Sequence, residues 1–111
     1  MDFTLDDLLT FARQHEHDQW ATLVRRSPFR YRVTDDGIEY LPSSGKRRIV
    51  ARRFLESFCD EFKDKRGSFS PGDYPDRWNK SYTLSLIRRF LDSRSQSARR
   101  PLNNVASESH Q

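Results

Sequence analysis

The chain of 111 residues has a formal net charge of +4, and 34% of its residues are apolar, which is lean for a globular domain. No apolar run approaches the roughly 18 residues of a membrane-spanning helix, and the single cysteine, Cys59, excludes an intramolecular disulfide and a paired-cysteine metal site. The first residues are acidic and lack an apolar stretch, unlike a secretory signal, so we expect a cytoplasmic protein without a membrane partner.

The first predicted element is an amphipathic helix over residues 5–17. Thr4 and Asp7 have the spacing of an acidic capping box, which marks a helix start. Apolar residues then recur on one helical face, at Leu5, Leu8, Leu9 and Ala12. The following residues, 18–27, fit either a continued helix or the start of a strand.

A β-hairpin is predicted over residues 29–41, because Asp36-Gly37 is a strong two-residue turn signal between alternating segments. With that turn, residue 33 pairs with residue 40, and residue 31 with residue 42. One face of the hairpin then carries the core side chains Phe29, Tyr31, Val33, Ile38 and Tyr40. The other face carries Arg30, Arg32, Thr34, Glu39 and Leu41.

The residue pattern in the second half of the chain predicts two further helices. Residues 46–50 are compatible with a short third strand, and a helix follows from about residue 51 and stops at Gly67. Its apolar positions are Phe54, Leu55, Phe58 and Phe62. Residues 68–78 predict an irregular loop. Ser81 or Asn79 then caps a last helix, with an apolar face of Leu84, Ile87, Phe90 and Leu91.

This order predicts an α+β fold, in which a small antiparallel sheet (hairpin 29–41 plus the third strand 46–50) packs against about three helices. All 14 aromatic residues lie before residue 93. We therefore expect a single domain over residues 1–92, followed by a disordered polar tail over residues 93–111.

Charge is distributed unevenly along the chain. Residues 1–19 carry a net charge of −4 and residues 20–53 a net charge of +6. Arginine supplies 16 of the 20 basic residues, and its guanidinium binds phosphate through two parallel hydrogen bonds. The candidate nucleic-acid contacts are Arg30, Arg32, Lys46, Arg47, Arg48, Arg52 and Arg53. A solvated basic face, balanced by the acidic first helix, is the alternative.

The loop after the second helix is a candidate site for a protein partner. It contains Phe69, Tyr74 and Trp78 among residues without a regular pattern, and long ordered loops are often functional. The alternative is that these rings fill the gap between the last two helices.

Catalytic constellations are weak in this sequence, so we expect a protein that is not an enzyme and needs no cofactor or metal. Cys59 lies among apolar residues, which favours a buried thiol over a nucleophile. His15 and His17 point apart on a helix and do not chelate one ion. An active site would need convergence of at least two residues from His15, Cys59, Asp73 and Asp76.

Several segments between residues 29 and 91 resemble small bacterial domains carried by mobile elements, such as gene cassettes and restriction-type accessory proteins. The matching segments are FRYRV from Phe29, YLPSSGK from Tyr40, GSFSPGDY from Gly67 and SYTLSLI from Ser81. The resemblance implies an accessory or nucleic-acid-linked role, and it implies no activity or site residues.

Two functional hypotheses follow. The first is a small non-enzymatic protein that contacts nucleic-acid phosphates through the arginines of the hairpin and of the second helix's start. The second is a protein-interaction or antitoxin-like accessory module that uses the acidic first helix and the aromatic loop 67–78. The sequence leaves the oligomeric state open.

Overall fold

The computed structural model describes residues 2–75 and 79–107, with side chains up to residue 96. Trp78 therefore lies outside the described residues. The elements, in chain order, are α1 (Leu5–Gln14), β1 (Trp20–Ala21), β2 (Pro28–Thr34), β3 (Gly37–Pro42), β4 (Arg48–Ala51), α2 (Arg52–Asp64), a short 3-10 helix (Pro71–Asp73) and α3 (Lys80–Ser107). The predicted α+β class, with an antiparallel sheet and three helices, is confirmed.

Helix α1 begins as the capping box predicts. The Thr4 side chain accepts a hydrogen bond from the Asp7 amide, and the Asp7 carboxylate accepts one from the Thr4 amide. The helix ends at Gln14, earlier than residue 17, because His15 leaves the helical conformation. The carbonyl of His15 accepts a hydrogen bond from the Trp20 indole at 2.9 Å, which satisfies a group that a longer helix would use internally.

The hairpin faces are as predicted, but the predicted register is wrong. Tyr31 pairs with Tyr40 and Thr34 with Gly37, so the turn residues are Asp35 and Asp36. The shift is by two residues, and a two-residue shift keeps every side chain on its predicted face. Gly37 is therefore not a turn residue. It is the first residue of β3, where it pairs with Ala51 of β4.

The sheet has four antiparallel strands in the order β1-β2-β3-β4. β4 confirms the third predicted strand, although it starts at Arg48 and not at residue 46. β1 resolves the segment 18–27 in favour of a short strand, in which Trp20 pairs with Phe29. Since β1 is two residues long, it covers only the first part of β2. Farther along this edge, the Glu16 carboxylate accepts a hydrogen bond from the Val33 amide at 2.9 Å.

Helix α2 buries Leu55, Phe58, Cys59 and Phe62. Phe54 differs from its predicted core position: it is 52% exposed, since it lies one helical position before Leu55 and projects to the side. At the other end, the amide of Gly67 donates to the Phe62 carbonyl and that of Arg66 to the Lys63 carbonyl. These two bonds form a Schellman motif, which ends the helix before the predicted Gly67.

The core lies between the inner face of the sheet and the three helices. Two buried tyrosines of that face hydrogen-bond to the helices above them. The Tyr31 hydroxyl donates to the Ala12 carbonyl at 2.6 Å, and the Tyr40 hydroxyl lies 2.8 Å from that of Thr83. Burial raises the pKa of both tyrosines. The sheet is therefore tied to α1 and α3 by polar as well as apolar contacts.

Helix α3 buries Leu84, Ile87 and Phe90, as its apolar pattern predicts. The amide of Thr83 donates to the Asn79 carbonyl, so Asn79 is the N-cap residue. The backbone is helical through Ser107, so the helix extends into the polar segment 93–111, whose predicted separation from the domain stays a prediction. The disorder expected for residues 108–111 concerns positions outside the described residues.

At Gly37, β4 lies too close to the hairpin to leave room for a side chain. The φ of Gly37 is +155°, and a Cβ atom there would lie 2.0 Å from the carbonyl oxygen of Val50. We therefore expect Gly37→Ala to lower the free energy of unfolding by about 2–4 kcal/mol, measured by urea denaturation with Trp fluorescence.

The matched control is Gly72→Ala, whose nearest contact would be an ordinary 3.8 Å from the Ser70 hydroxyl. It should change stability by less than about 1 kcal/mol. Equal losses in both variants would contradict the role assigned to Gly37.

Candidate nucleic-acid interface

Three of the predicted cationic contacts lie on the outer face of the sheet, which is opposite the helices. Arg30 and Arg32 project there from β2, and Arg47 precedes β4. All three side chains are exposed. Lys46 is exposed in the adjoining loop. These four residues, Arg30, Arg32, Lys46 and Arg47, are called the outer basic face.

A single buried carboxylate organises this face. Glu39 accepts a hydrogen bond from Arg32 at 3.1 Å and another from Arg47 at 2.9 Å. The hydrogen bond from Arg47 is the main cause that holds the pKa of Glu39 below its ordinary value. The single negative charge of Glu39 thus orients two guanidinium groups that come from the two sides of β3. The outer basic face keeps a net positive charge.

Two apolar side chains lie among these charges. Ile49 is 73% exposed and Leu41 is 38% exposed. Ile49 pairs with Glu39 and Leu41 pairs with Arg30, so both belong to the outer side of the sheet. The surface can therefore offer both cationic donors and apolar contact area to a flat or extended ligand.

The other predicted cations lie elsewhere. Arg48 pairs with Tyr40 and so belongs to the inner side of the sheet, opposite to Arg47 and Ile49. Arg52 forms an ion pair with Asp6 of α1, and Arg53 lies over the Phe54 ring, 4.9 Å from its centroid. The seven predicted contacts do not form one contiguous set, because strand alternation and the start of α2 separate them.

The described aromatics of the loop belong to the core. Tyr74 is 0% exposed, stacks on Phe58 at 5.0 Å, and donates to the Ser68 carbonyl at 2.7 Å. Burial raises its pKa to about 12. Phe69 is half-buried against Phe62. These two rings fill the gap between α2 and α3, and Tyr74 is not accessible to a partner.

The acidic first helix is also occupied by internal contacts. Asp7 is used in the capping box and Asp6 in the ion pair with Arg52. Hydrogen bonds to Thr4 lower the pKa of Asp7. Two of the negative charges in the first 19 residues are therefore used inside the protein, one to cap α1 and one to pair with Arg52 of α2.

Three of the candidate catalytic residues, His15, Cys59 and Asp73, have separate structural roles, and the fourth, Asp76, lies outside the described residues. Burial raises the pKa of Cys59 to about 11, so its thiol stays protonated at neutral pH. His15 lies 2.8 Å from Asp18, and Asp73 accepts a hydrogen bond from Ser68. Among the residues that the structure describes, no group of three or more His, Cys, Asp or Glu side chains could hold a metal.

One cluster was not predicted from the sequence. Arg89 of α3 donates to Asp18 at 3.0 Å and to the Gln19 carbonyl, and its guanidinium lies 4.2 Å from the centroid of the Trp20 ring. These contacts fasten the α1–β1 connection to α3. No local sequence signal indicates them, because Arg89 and Trp20 are 69 positions apart.

Comparisons with known proteins found no matching family model, no matching curated protein and no matching solved structure. The resemblance of residues 29–91 to domains of mobile elements therefore stays a prediction. No helix of the described part of the chain is long and apolar enough to cross a membrane.

The contacts of Glu39 predict a pH-dependent contribution to stability. Because its pKa is lowered on folding from an ordinary value of 4.5, the contribution is complete well above that value and is lost as the pH falls through the folded pKa. Glu39→Gln should therefore lower the free energy of unfolding at pH 7, and the deficit should shrink in urea titrations performed below the ordinary pKa.

The control for this experiment is Asp60→Asn, which removes an exposed carboxylate of α2. This variant also removes one negative charge, but it leaves both hydrogen bonds of Glu39 in place. A deficit of Glu39→Gln that does not change with pH would contradict the assigned ion pairs.

Proposed function

We propose that the protein binds nucleic acid without acting on it chemically, and that the outer basic face contacts the phosphate backbone. The observation that supports this most is the arrangement around Glu39, in which Arg32 and Arg47 are held side by side with their guanidinium groups exposed. Guanidinium groups held in this way reach phosphate oxygens with little further loss of conformational freedom.

The charge balance of the face also supports the proposal. Four cations, Arg30, Arg32, Lys46 and Arg47, surround one carboxylate, and no ion pair involving Arg30 or Lys46 occurs among the described residues. Phosphate contacts of this kind release counterions and carry little sequence information. Binding should therefore be strongly salt-dependent and only weakly selective for sequence.

The apolar residues of the face add a second type of contact. Ile49 and Leu41 lie beside the arginines on the same side of the sheet. Against nucleic acid, they would cover sugar or base edges while the cations hold the phosphates. This combination suits an extended strand better than it suits a small ligand.

A protein partner is the second candidate function, and the same exposed apolar pair favours it. An Ile that is 73% exposed gains free energy when a partner buries it. This hypothesis predicts that Ile49→Thr lowers the affinity for the partner more than the removal of two cations of the outer basic face, Arg30 and Lys46, does. The nucleic-acid hypothesis predicts the opposite order.

The decisive measurement is the salt dependence of binding to single-stranded and duplex oligonucleotides, followed by fluorescence anisotropy. Arg30→Gln with Lys46→Gln removes two charges and leaves the Glu39 ion pairs in place. If each residue contacts one phosphate, the slope of log K against log salt should fall by roughly 2 over about 50–200 mM salt.

The control variant is Arg13→Gln with Lys65→Gln, which removes the same charge from exposed positions on α1 and after α2. Its slope should match that of the unchanged protein. Absence of binding near 50 mM salt, or equal slopes in the two double variants, would exclude the outer basic face as a phosphate-binding surface.

A further inference from the structure

A groove lies between the β1–β2 connection, the first residue of β4 and the start of α3. It has a volume of roughly 960 Å³, which falls within the range of small-ligand sites. Arg48, which strand alternation turns away from the outer basic face, lines this groove together with Arg25 and Lys80. The groove thus collects cations from three segments that are distant in sequence.

The charge in the groove is not neutralised by the described residues. No carboxylate is among the described residues that line it, and neither Arg25 nor Arg48 forms an ion pair in that part of the chain. Other arginines are paired: Arg32 and Arg47 with Glu39, and Arg52 with Asp6. The three cations of the groove are therefore suited to an anion supplied from outside the chain.

Two polar atoms of groove residues are buried and have no hydrogen-bond partner. They are the Nε atom of Arg48, which is a donor, and the Oδ1 atom of Asn79, which is an acceptor. Unpaired polar atoms that water does not reach cost free energy, and such exceptions are uncommon in folded proteins. Since solvent does not reach either atom, a ligand that offers an anionic oxygen and a hydroxyl group would satisfy both only after the Arg48 and Asn79 side chains turn toward the groove.

The start of α3 supplies further donors beside the same cations. Asn79 caps the helix through its carbonyl, and the first amides, beginning with Lys80, have no partner within the helix. The hydroxyl groups of Ser70 and Ser81 also line the groove. Backbone amides at a helix start, combined with nearby cations, form a favourable environment for phosphate.

We propose that this groove binds a phosphate monoester whose organic part carries a hydroxyl group, with the phosphate between Arg25, Arg48 and Lys80. The ligand is either a free sugar phosphate or mononucleotide, or the terminal phosphate of a nucleic-acid strand. The site does not depend on the outer basic face, because the two share no residue.

Calorimetric titration tests the proposal with inorganic phosphate, adenosine 5′-monophosphate and adenosine at low ionic strength. The monophosphate should bind, and inorganic phosphate should compete with it because both use the three cations. Adenosine alone should not bind. Absence of binding by both phosphate compounds at millimolar concentration would overturn the proposal.

The informative variant is Arg48→Met, which keeps an apolar stem and removes the charge together with the unpaired Nε donor. Affinity for the monophosphate should fall at least about ten-fold. The thermal midpoint without ligand should not fall, because no described hydrogen bond or ion pair is lost. Unchanged affinity would overturn the assignment of Arg48.

A second variant, Arg25→Gln, lies at an exposed position and keeps the proposal testable if Arg48→Met fails to fold. Arg25→Gln should also lower the affinity for the monophosphate several-fold, and unchanged affinity would again count against the site. Arg30→Gln with Lys46→Gln should leave monophosphate binding intact, which separates this site from the proposed function.

Comparison of oligonucleotides with and without a 5′-phosphate then identifies the source of the monoester. If the strand end is the ligand, the 5′-phosphate should raise the affinity for the oligonucleotide, and Arg48→Met should remove that gain. If a free monoester is the ligand, the 5′-phosphate should give no gain, although the monophosphate still binds. Either result supports the groove as a phosphate site.

Discussion

The close approach of β4 to Gly37 determines where most of the candidate binding residues lie. Because Gly37 has no side chain, the Val50 carbonyl reaches a position that a Cβ atom would occupy. The amide of Arg52 then donates to the Asp36 carbonyl, so α2 begins directly beside the hairpin turn. With β4 fixed in this way, its alternation sends Arg47 and Ile49 to one side of the sheet and Arg48 to the other.

The lean apolar composition is compatible with this fold because aromatic residues both fill the core and bind polar groups. Trp20 and Tyr31 meet edge to face with centroids 5.3 Å apart, and each also donates a hydrogen bond to a carbonyl at the end of α1. A ring of this kind buries roughly 150–250 Å². All these contacts lie on the inner face, so the outer face is left available to a ligand.

Short-range patterns in the sequence predicted the fold class, the apolar face of each helix and the two faces of the hairpin. They did not predict the register of the hairpin, because the glycine at position 37 is required by its contact with β4, a strand that begins eleven positions later. Phe54 is exposed and not in the core, and Tyr74 is buried, which is the gap-filling alternative and not the partner-binding one. Whether a ring is buried depends on which helix face passes over it, and the local sequence does not contain that information.

The candidate site shows the same limit. Local alternation correctly placed Arg30 and Arg32 opposite the core. It did not show that Glu39 would hold Arg32 and Arg47 together, which requires β2 and β4 to flank β3. Nor did it show that Arg25, Arg48 and Lys80 would meet, because their proximity arises from tertiary packing across 55 positions of the chain.

The short strand β1 has a consequence for the behaviour of the protein at high concentration. The part of β2 beyond β1 is a sheet edge, and free edges recruit strands from other molecules into aggregates. Here the Glu16 carboxylate already holds the Val33 amide. An incoming strand would have to displace a charged group before it could pair. Glu16 thus hinders intermolecular β-pairing at the Val33 position of this edge.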